Sequence, residues 1–164
     1  SLNIASLKHL AVLFVCEDND LAIHTGKKDR LGFQSIVEIV KKYNCGVVES
    51  NTKDVEEIKK ITKDIRKKMQ EEKQPYLLKL DYFRHLEHVG VETDFDAGYR
   101  KDSKEWKSKD PVRNQRKRLE EMGEEEEVKI MEEEKREEIE KSIKKAKQAP
   151  FAKKEDLTTH VFYE

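Results

Sequence analysis

Glu17, Asp18, Asn19 and Asp20 follow directly on the apolar run LAVLFVC, so four oxygen-rich side chains stand where a buried strand ends. Strand ends in open α/β sheets are where ligands bind, and hard oxygen donors there suit a cation such as Mg2+. Asn19 offers a neutral side-chain oxygen and the turn after it a backbone carbonyl, which is part of an octahedral oxygen site and no more. Asp and Asn are also ordinary turn formers, so these residues by themselves support both readings. A second cluster, YFRHLEHVGVETDFDAGYR, gathers Arg84, His85, His88, Tyr99 and Arg100 on one expected loop. Arginine suits phosphate through its bidentate fork, and histidine exchanges a proton near neutral pH. A loop longer than about 12 residues is generally functional or disordered. An exposed loop with incidental histidines fits the same residues. In GKKDR, Lys27, Lys28 and Arg30 follow Gly26 without the glycine spacing of a phosphate-binding loop, and they read as a solvated basic turn.

The elements that must position these residues alternate in period. LNIASLKHL reads as the end of a helix, AVLFVCE as a buried strand, FQSIVEIVKKY as a helix and CGVVES as a second strand. Asp54, with Glu57 three residues on, suggests a capping box for a helix whose Val55, Ile58, Ile61, Ile65 and Met69 share one face. A third strand, YLLKLDYF, follows Pro75. Strands separated by helices of this length indicate a parallel sheet with functional loops at the carboxyl ends, which puts residues 17–21 and 84–99 at one rim. Beyond residue 100, Asp110, Pro111 and Gly123 bound one helix as N-cap, first residue and stop. A longer helix follows with a narrow stripe of Val128, Met131, Ile139 and Ile143, ended by Pro150. Its acidic first turn and basic last turns complement the helix dipole, so the charge run reads as a solvated face. LTTHVFYE reads as a short strand or extended tail.

Composition limits the partners. The 164 residues are 42% charged and 35% hydrophobic, which leaves a thin core. Net charge is only -1, so nothing argues for nucleic acid or an anionic membrane. No apolar run is long enough to cross a bilayer, and the start lacks the regions of a signal peptide, so a soluble, cytoplasmic protein is expected. Cys16 and Cys45 fall on separate expected strands without metal spacing, which favours reduced thiols.

Taken in order, the stretches resemble the alpha subunit of thiamine diphosphate-dependent 2-oxo acid dehydrogenases of the pyruvate, branched-chain and acetoin type. SLNIASLKHLAVLFVCEDNDLAIHT resembles the pattern EALNxAxLxxLPVIFVCENNxYAIST. YLLKLDYFRHLEHVG and the later GYR resemble PxLIExxTYRxxGHS and YR, and EWKSKDPVRNQRKRLEEMG resembles EWxxxDPIxxxRxxLxxxG. APFAKKEDLTTHVFY is similar to the family's closing segment. The resemblance implies the α/β parallel sheet of a thiamine diphosphate-binding fold over residues 1–100, with a helical extension packed on it over residues 101–164. It implies thiamine diphosphate and Mg2+ as cofactors. Asn19 corresponds to the family's asparagine ligand of Mg2+ and Leu21 to its carbonyl donor, with Asp18 in place of the first asparagine. Arg84 corresponds to the arginine that contacts the diphosphate, His24 is a further cofactor-binding position, and His88 corresponds to the histidine that handles substrate over the active site. A small 2-oxo acid would be decarboxylated, with the cofactor as electron sink, and the acyl group passed to a lipoyl-bearing acyltransferase. The implied partner is a beta subunit, in a heterotetramer of two alpha and two beta subunits.

Val89 stands where some mitochondrial members carry a regulatory serine, so that phosphorylation is not expected. The family's Gly-Asp-Gly signature would fall about 30 residues before Asn19, upstream of Ser1. The expectation is therefore a carboxyl-terminal part of an alpha subunit, truncated at its N-terminus and inactive alone. Two alternatives stay open: a non-catalytic fragment that docks partner subunits, and an acetoin-specific or transketolase-like member with a different acceptor.

Overall fold

The structure is a computed structural model that describes residues 1–100, 108–159 and 161. Its centre is the strand Tyr76–Asp81, β5, which pairs in parallel with Leu13–Asp18 (β1) on one side and Gly46–Ser50 (β4) on the other. The sheet order is therefore β1-β5-β4, and the parallel α/β sheet expected from the alternating periods is present. Consecutive side chains of β5 point to opposite faces. Tyr76, Leu78 and Leu80 pack with Ile61, Ile65 and Met69 of the helix Val55–Glu72 (α4), while Leu77 packs with Val40, Cys45, Phe14 and Leu2 on the other face. That second face is covered by two short helices, Leu2–Leu7 (α1) and Ile36–Val40 (α3).

The order of elements after β1 explains how the rim is built. A two-residue ladder pairs Leu21–Ala22 (β2) with Thr25–Gly26 (β3), and the single turn Lys27–Arg30 (α2) follows at once. α3 spans only five residues, fewer than the apolar spacing of FQSIVEIVKKY suggests, because only Ile36, Val37 and Val40 find the sheet. Cys45 lies just ahead of β4 rather than in it, and its thiol donates to the Gly46 carbonyl (3.4 Å). Both cysteines are free, and burial pushes both thiols up from their ordinary range. Gly46 is required: a Cβ there would stand 2.3 Å from the Tyr76 ring, which seals the core edge and donates from its hydroxyl to Glu72 (2.7 Å).

Asp54 is the N-cap of α4, accepting from the Glu56 N–H (2.9 Å). The expected reciprocal box takes a relayed form, in which the Asp54 N–H donates to Thr52 Oγ1 (3.2 Å) and the Thr52 hydroxyl donates to Glu57. α4 ends at Lys73 in the left-handed region (φ 50°), and Pro75, fully buried, forbids its continuation.

By its internal contacts the chain divides into two compact units, Ser1–Gln115 and Arg116–Glu164. Pro111–Glu121 (α5) starts as expected, with Asp110 Oδ1 accepting from Val112 N–H (2.9 Å) and Arg113 N–H (3.2 Å), and Gly123 follows at φ 88°. In the second unit Glu125–Gln148 (α6) is laced by Glu125–Lys129 and Glu137–Lys141 pairs, and Arg116 reaches Glu132 (2.9 Å). Of its apolar stripe only Val128 is buried, whereas Met131, Ile139 and Ile143 are exposed. Of LTTHVFYE, expected as a short strand or extended tail, Leu157 and Thr158 instead end a 3-10 turn, Lys154–Thr158, in which the Lys153 N–H donates to Asp156 (2.7 Å), and Thr159 is extended. The rest of that segment, at 160 and 162–164, and the EW of EWKSKD, within 101–107, lie outside the described residues.

Ile65 is 1% exposed under the sheet and Ile139 59% exposed on α6. Ile65→Ala should therefore lower the free energy of unfolding by about 3 kcal/mol, while Ile139→Ala stays within about 0.5 kcal/mol of the parent. Urea unfolding of both variants measures the difference.

Candidate functional site

Register decides what meets at the rim. Asp18 pairs with Asp81, so the segments leaving β1 and β5 emerge side by side. The first turns at once, because the Asp20 N–H donates to Asp18 Oδ1 (3.1 Å) and the Leu21 N–H to Asn19 Oδ1 (3.0 Å). Asp20 and Ile23 both hold left-handed backbone, at φ 68° and 56°. For a β-branched isoleucine that conformation is costly, and surrounding contacts must maintain it. One of them is Arg84 Nη1, which donates to the Ile23 carbonyl (3.3 Å). Asn19 Nδ2 donates across the rim to the Tyr82 hydroxyl (3.5 Å).

Arg84 and Asn19 are thus brought to one cleft of about 500 Å3, lined also by Asp18, Leu21, Lys79 and Asp81. Arg84 is firmly held there. Its Nε donates to the Leu86 carbonyl (3.1 Å), and its Nη2 to Asp94 Oδ2 (3.2 Å) and to the Tyr99 hydroxyl, which in turn donates to Asp94. Arg100 donates to Asp94 Oδ1 (Nε, 2.7 Å) and to the carbonyls of Leu86 (3.0 Å) and Arg84, and its guanidinium lies over the Phe95 ring at 4.6 Å. Burial alone would raise the Asp94 carboxyl, but the Arg100 hydrogen bond and the charges of Arg100 and Arg84 hold it below the usual range. The ring of His24 lies against that of Tyr99, tilted by 30° (centroids 4.3 Å apart), which places the exposed His24 at the same rim. His88 is exposed on the same loop, and His85 packs edge-on to Phe83 (5.2 Å).

The aspartate that ends β1 has partners of its own. Asp18 receives a close hydrogen bond from Lys27 Nζ and lies 3.5 Å from Lys79 Nζ. Lys27 also meets Asp20 (3.0 Å), so it is a partnered strand-end residue and not the solvated turn that GKKDR suggests; Lys28 and Arg30 are exposed. Burial opposes the charge on Asp18, yet the bonds from Lys27 and the Asp20 N–H hold its carboxyl below the ordinary range. Lys79, buried in the strand, donates to Glu49 (2.7 Å) and Asp81 (2.6 Å). Burial would lower its ammonium, and those carboxylates instead raise it above the ordinary lysine range.

Asp94 and Lys79 were not singled out by residue type, and Lys27 was read only as part of a solvated basic turn. For Lys79 the signal was present: a lysine inside YLLKLDYF must be paired if the strand is buried. Among the described residues no three His, Cys, Asp or Glu side chains gather as a metal site. The oxygens of the Asn19–Leu21 turn are of the kind a hard cation takes.

Fold and rim together define an α/β protein with a cleft at the carboxyl ends of parallel strands, where such folds bind ligands. A model of the dehydrogenase E1 component family matches residues 1–155, and the chain belongs to that family, the E1 component of 2-oxo acid dehydrogenases. No curated protein matches the chain. Among the described residues no helix is long and apolar enough to cross a membrane.

Asp94 stabilises the native state above about pH 3.9, the ordinary carboxyl value, and that contribution is lost as pH falls through its lowered native value. Asp94→Asn should accordingly flatten the acid side of the stability–pH curve. At neutral pH it leaves Arg84 and Arg100 without their shared anion, so proteolysis within residues 84–100 should be faster, as mass spectrometry of the fragments would show.

Proposed function

We propose that these residues form the diphosphate-facing part of the alpha subunit of a thiamine diphosphate-dependent 2-oxo acid dehydrogenase. The observation that carries the reading is the convergence of the Asn19–Leu21 turn and Arg84 at the ends of adjacent parallel strands, with Arg84 bonded to the Ile23 carbonyl (3.3 Å). Family membership supports the same class.

The donor set fits Mg2+. Asn19 Oδ1 and the Leu21 backbone belong to one turn closed by a 3.0 Å hydrogen bond, which fixes two neutral oxygen donors relative to each other. The carboxylates beside them, Asp18, Asp20, Glu49 and Asp81, are partnered by Lys27 and Lys79. When bound, the cofactor supplies the electron sink for loss of CO2 from a 2-oxo acid. The chain's own residues bind and orient. Asn19 and the Leu21 carbonyl would hold the metal, Arg84 would contact the diphosphate, and His24, against Tyr99, would contribute to cofactor binding. His88, exposed on the loop after β5, would move a proton at the substrate. A beta subunit completes the site, and a lipoyl-bearing acyltransferase accepts the acyl group. Asp94 and Arg100 position Arg84 rather than touch the ligand.

Calorimetric titration of thiamine diphosphate with Mg2+ into the assembled alpha and beta subunits tests the reading; no saturable, Mg2+-dependent binding would sink it. Asn19→Ala should weaken that binding, with partial rescue by excess Mg2+. His88→Ala should leave affinity nearly unchanged and lower turnover by about a hundredfold or more. If His88→Ala turns over normally, the loop only covers the site.

A further inference from the structure

Lys79 touches a carboxylate on each of the three sheet strands. Its Nζ meets Asp81 at the end of β5 (2.6 Å), Glu49 in β4 (2.7 Å) and Asp18 at the end of β1 (3.5 Å). The register explains this reach, because Lys79 pairs with Cys16 in β1 and with Glu49 in β4. Asp18 is the next link. Its Oδ1 accepts the Asp20 N–H that begins the turn, and its Oδ2 is held between Lys27 and Lys79. The side chains of Asp18 and Lys79 are only 12% and 10% exposed, so solvent screens their interaction little.

The geometry points to Lys79 as a positioning residue that fixes the Asn19–Leu21 turn through Asp18, and this rests on the cofactor-site reading for its consequence in binding. Lys79 touches neither the metal donors nor the cleft's phosphate-facing arginine. It sets where Asp18 stands, and Asp18 sets the first bond of the turn. The pattern that the chain resembles has asparagine where Asp18 stands and glutamate where Lys79 stands, so the two departures have opposite charge and meet in space. Lys27 alone does not replace Lys79. It is the first residue of α2, beyond the turn, and so belongs to the segment that it would have to anchor.

Two opposite outcomes separate positioning from bulk charge. Removing a cation from a rim already rich in carboxylate should tighten Mg2+ binding if charge were all that mattered. If position matters, it should weaken binding although the local field becomes more favourable. The variants are Lys79→Gln, Lys79→Arg, Asp18→Asn and the double variant Asp18→Asn with Lys79→Gln. Asp18→Asn keeps an oxygen that can accept the Asp20 N–H and removes the charge that Lys79 and Lys27 share, so Lys79→Gln is the variant that isolates Lys79.

Amide hydrogen exchange at Asp20 and Leu21 in the chain alone reads the turn without any cofactor. Lys79→Gln should speed that exchange, Asp18→Asn should do the same, the double variant should be no faster than either, and Lys79→Arg should restore protection. In the assembled subunits Lys79→Gln should weaken Mg2+-dependent binding of thiamine diphosphate by about tenfold, as loss of a partner behind a metal ligand does. Unchanged exchange, multiplying effects of the two substitutions, or tighter Mg2+ binding would overturn the role of Lys79. Should the exchange pattern hold while the parent assembly binds no cofactor, the hold of Lys79 on the turn stands and the cofactor reading falls. If Lys79→Gln does not fold, Asp18→Asn set against Lys79→Arg reads the same link: exchange unchanged by Asp18→Asn refutes it.

Discussion

The rest of the structure depends on the double burial of β5. A strand covered on both faces and paired on both edges leaves no freedom of register, because a slip of one residue would drive Leu77 and Lys79 into the face that Tyr76 and Leu78 occupy. Fixed register puts Asp18 beside Asp81, and everything at the rim follows from that pairing. The chain leaves β1 in a turn closed by its own Asp and Asn side chains. It leaves β5 through Tyr82 and Phe83 into a loop held by ions.

The two sides of the cleft are stabilised differently. Beneath β1 the charges are ammonium on carboxylate, with Lys79 and Lys27 facing four acids. In the loop after β5 the order is reversed, with one carboxylate, Asp94, between two guanidinium groups and a tyrosine. One wall of the cleft thus carries carboxylates partnered by lysines, and the other carries guanidinium groups partnered by a single carboxylate.

Much of this architecture was legible in the sequence, for local reasons. The period of Ile58, Ile61, Ile65 and Met69, the caps Asp54 and Asp110, and the stops at Pro75 and Gly123 are written within a few residues of where they act. The rim residues Asn19 and Arg84 were found by type and position. Pairings between distant residues were not legible: Lys79 with Glu49 and Asp18, Lys27 with Asp18, and Asp94 with Arg84 and Arg100 become visible only when register is known. Helix α3 was over-extended by its periodicity because apolar spacing shows which residues can face a sheet, not how much sheet lies beneath them.

The strand order has a consequence for how the chain is made. β1 and β4 do not pair with each other; Leu13 waits for Tyr76, and Gly46 waits for the same residue. On a ribosome both early strands are synthesised before the partner that lies between them exists. Neither β1 nor β4 can make its pairing with β5 until residue 81 has left the exit tunnel. Chaperone demand should fall in that interval of translation, and a slow codon placed before β5 would lengthen it.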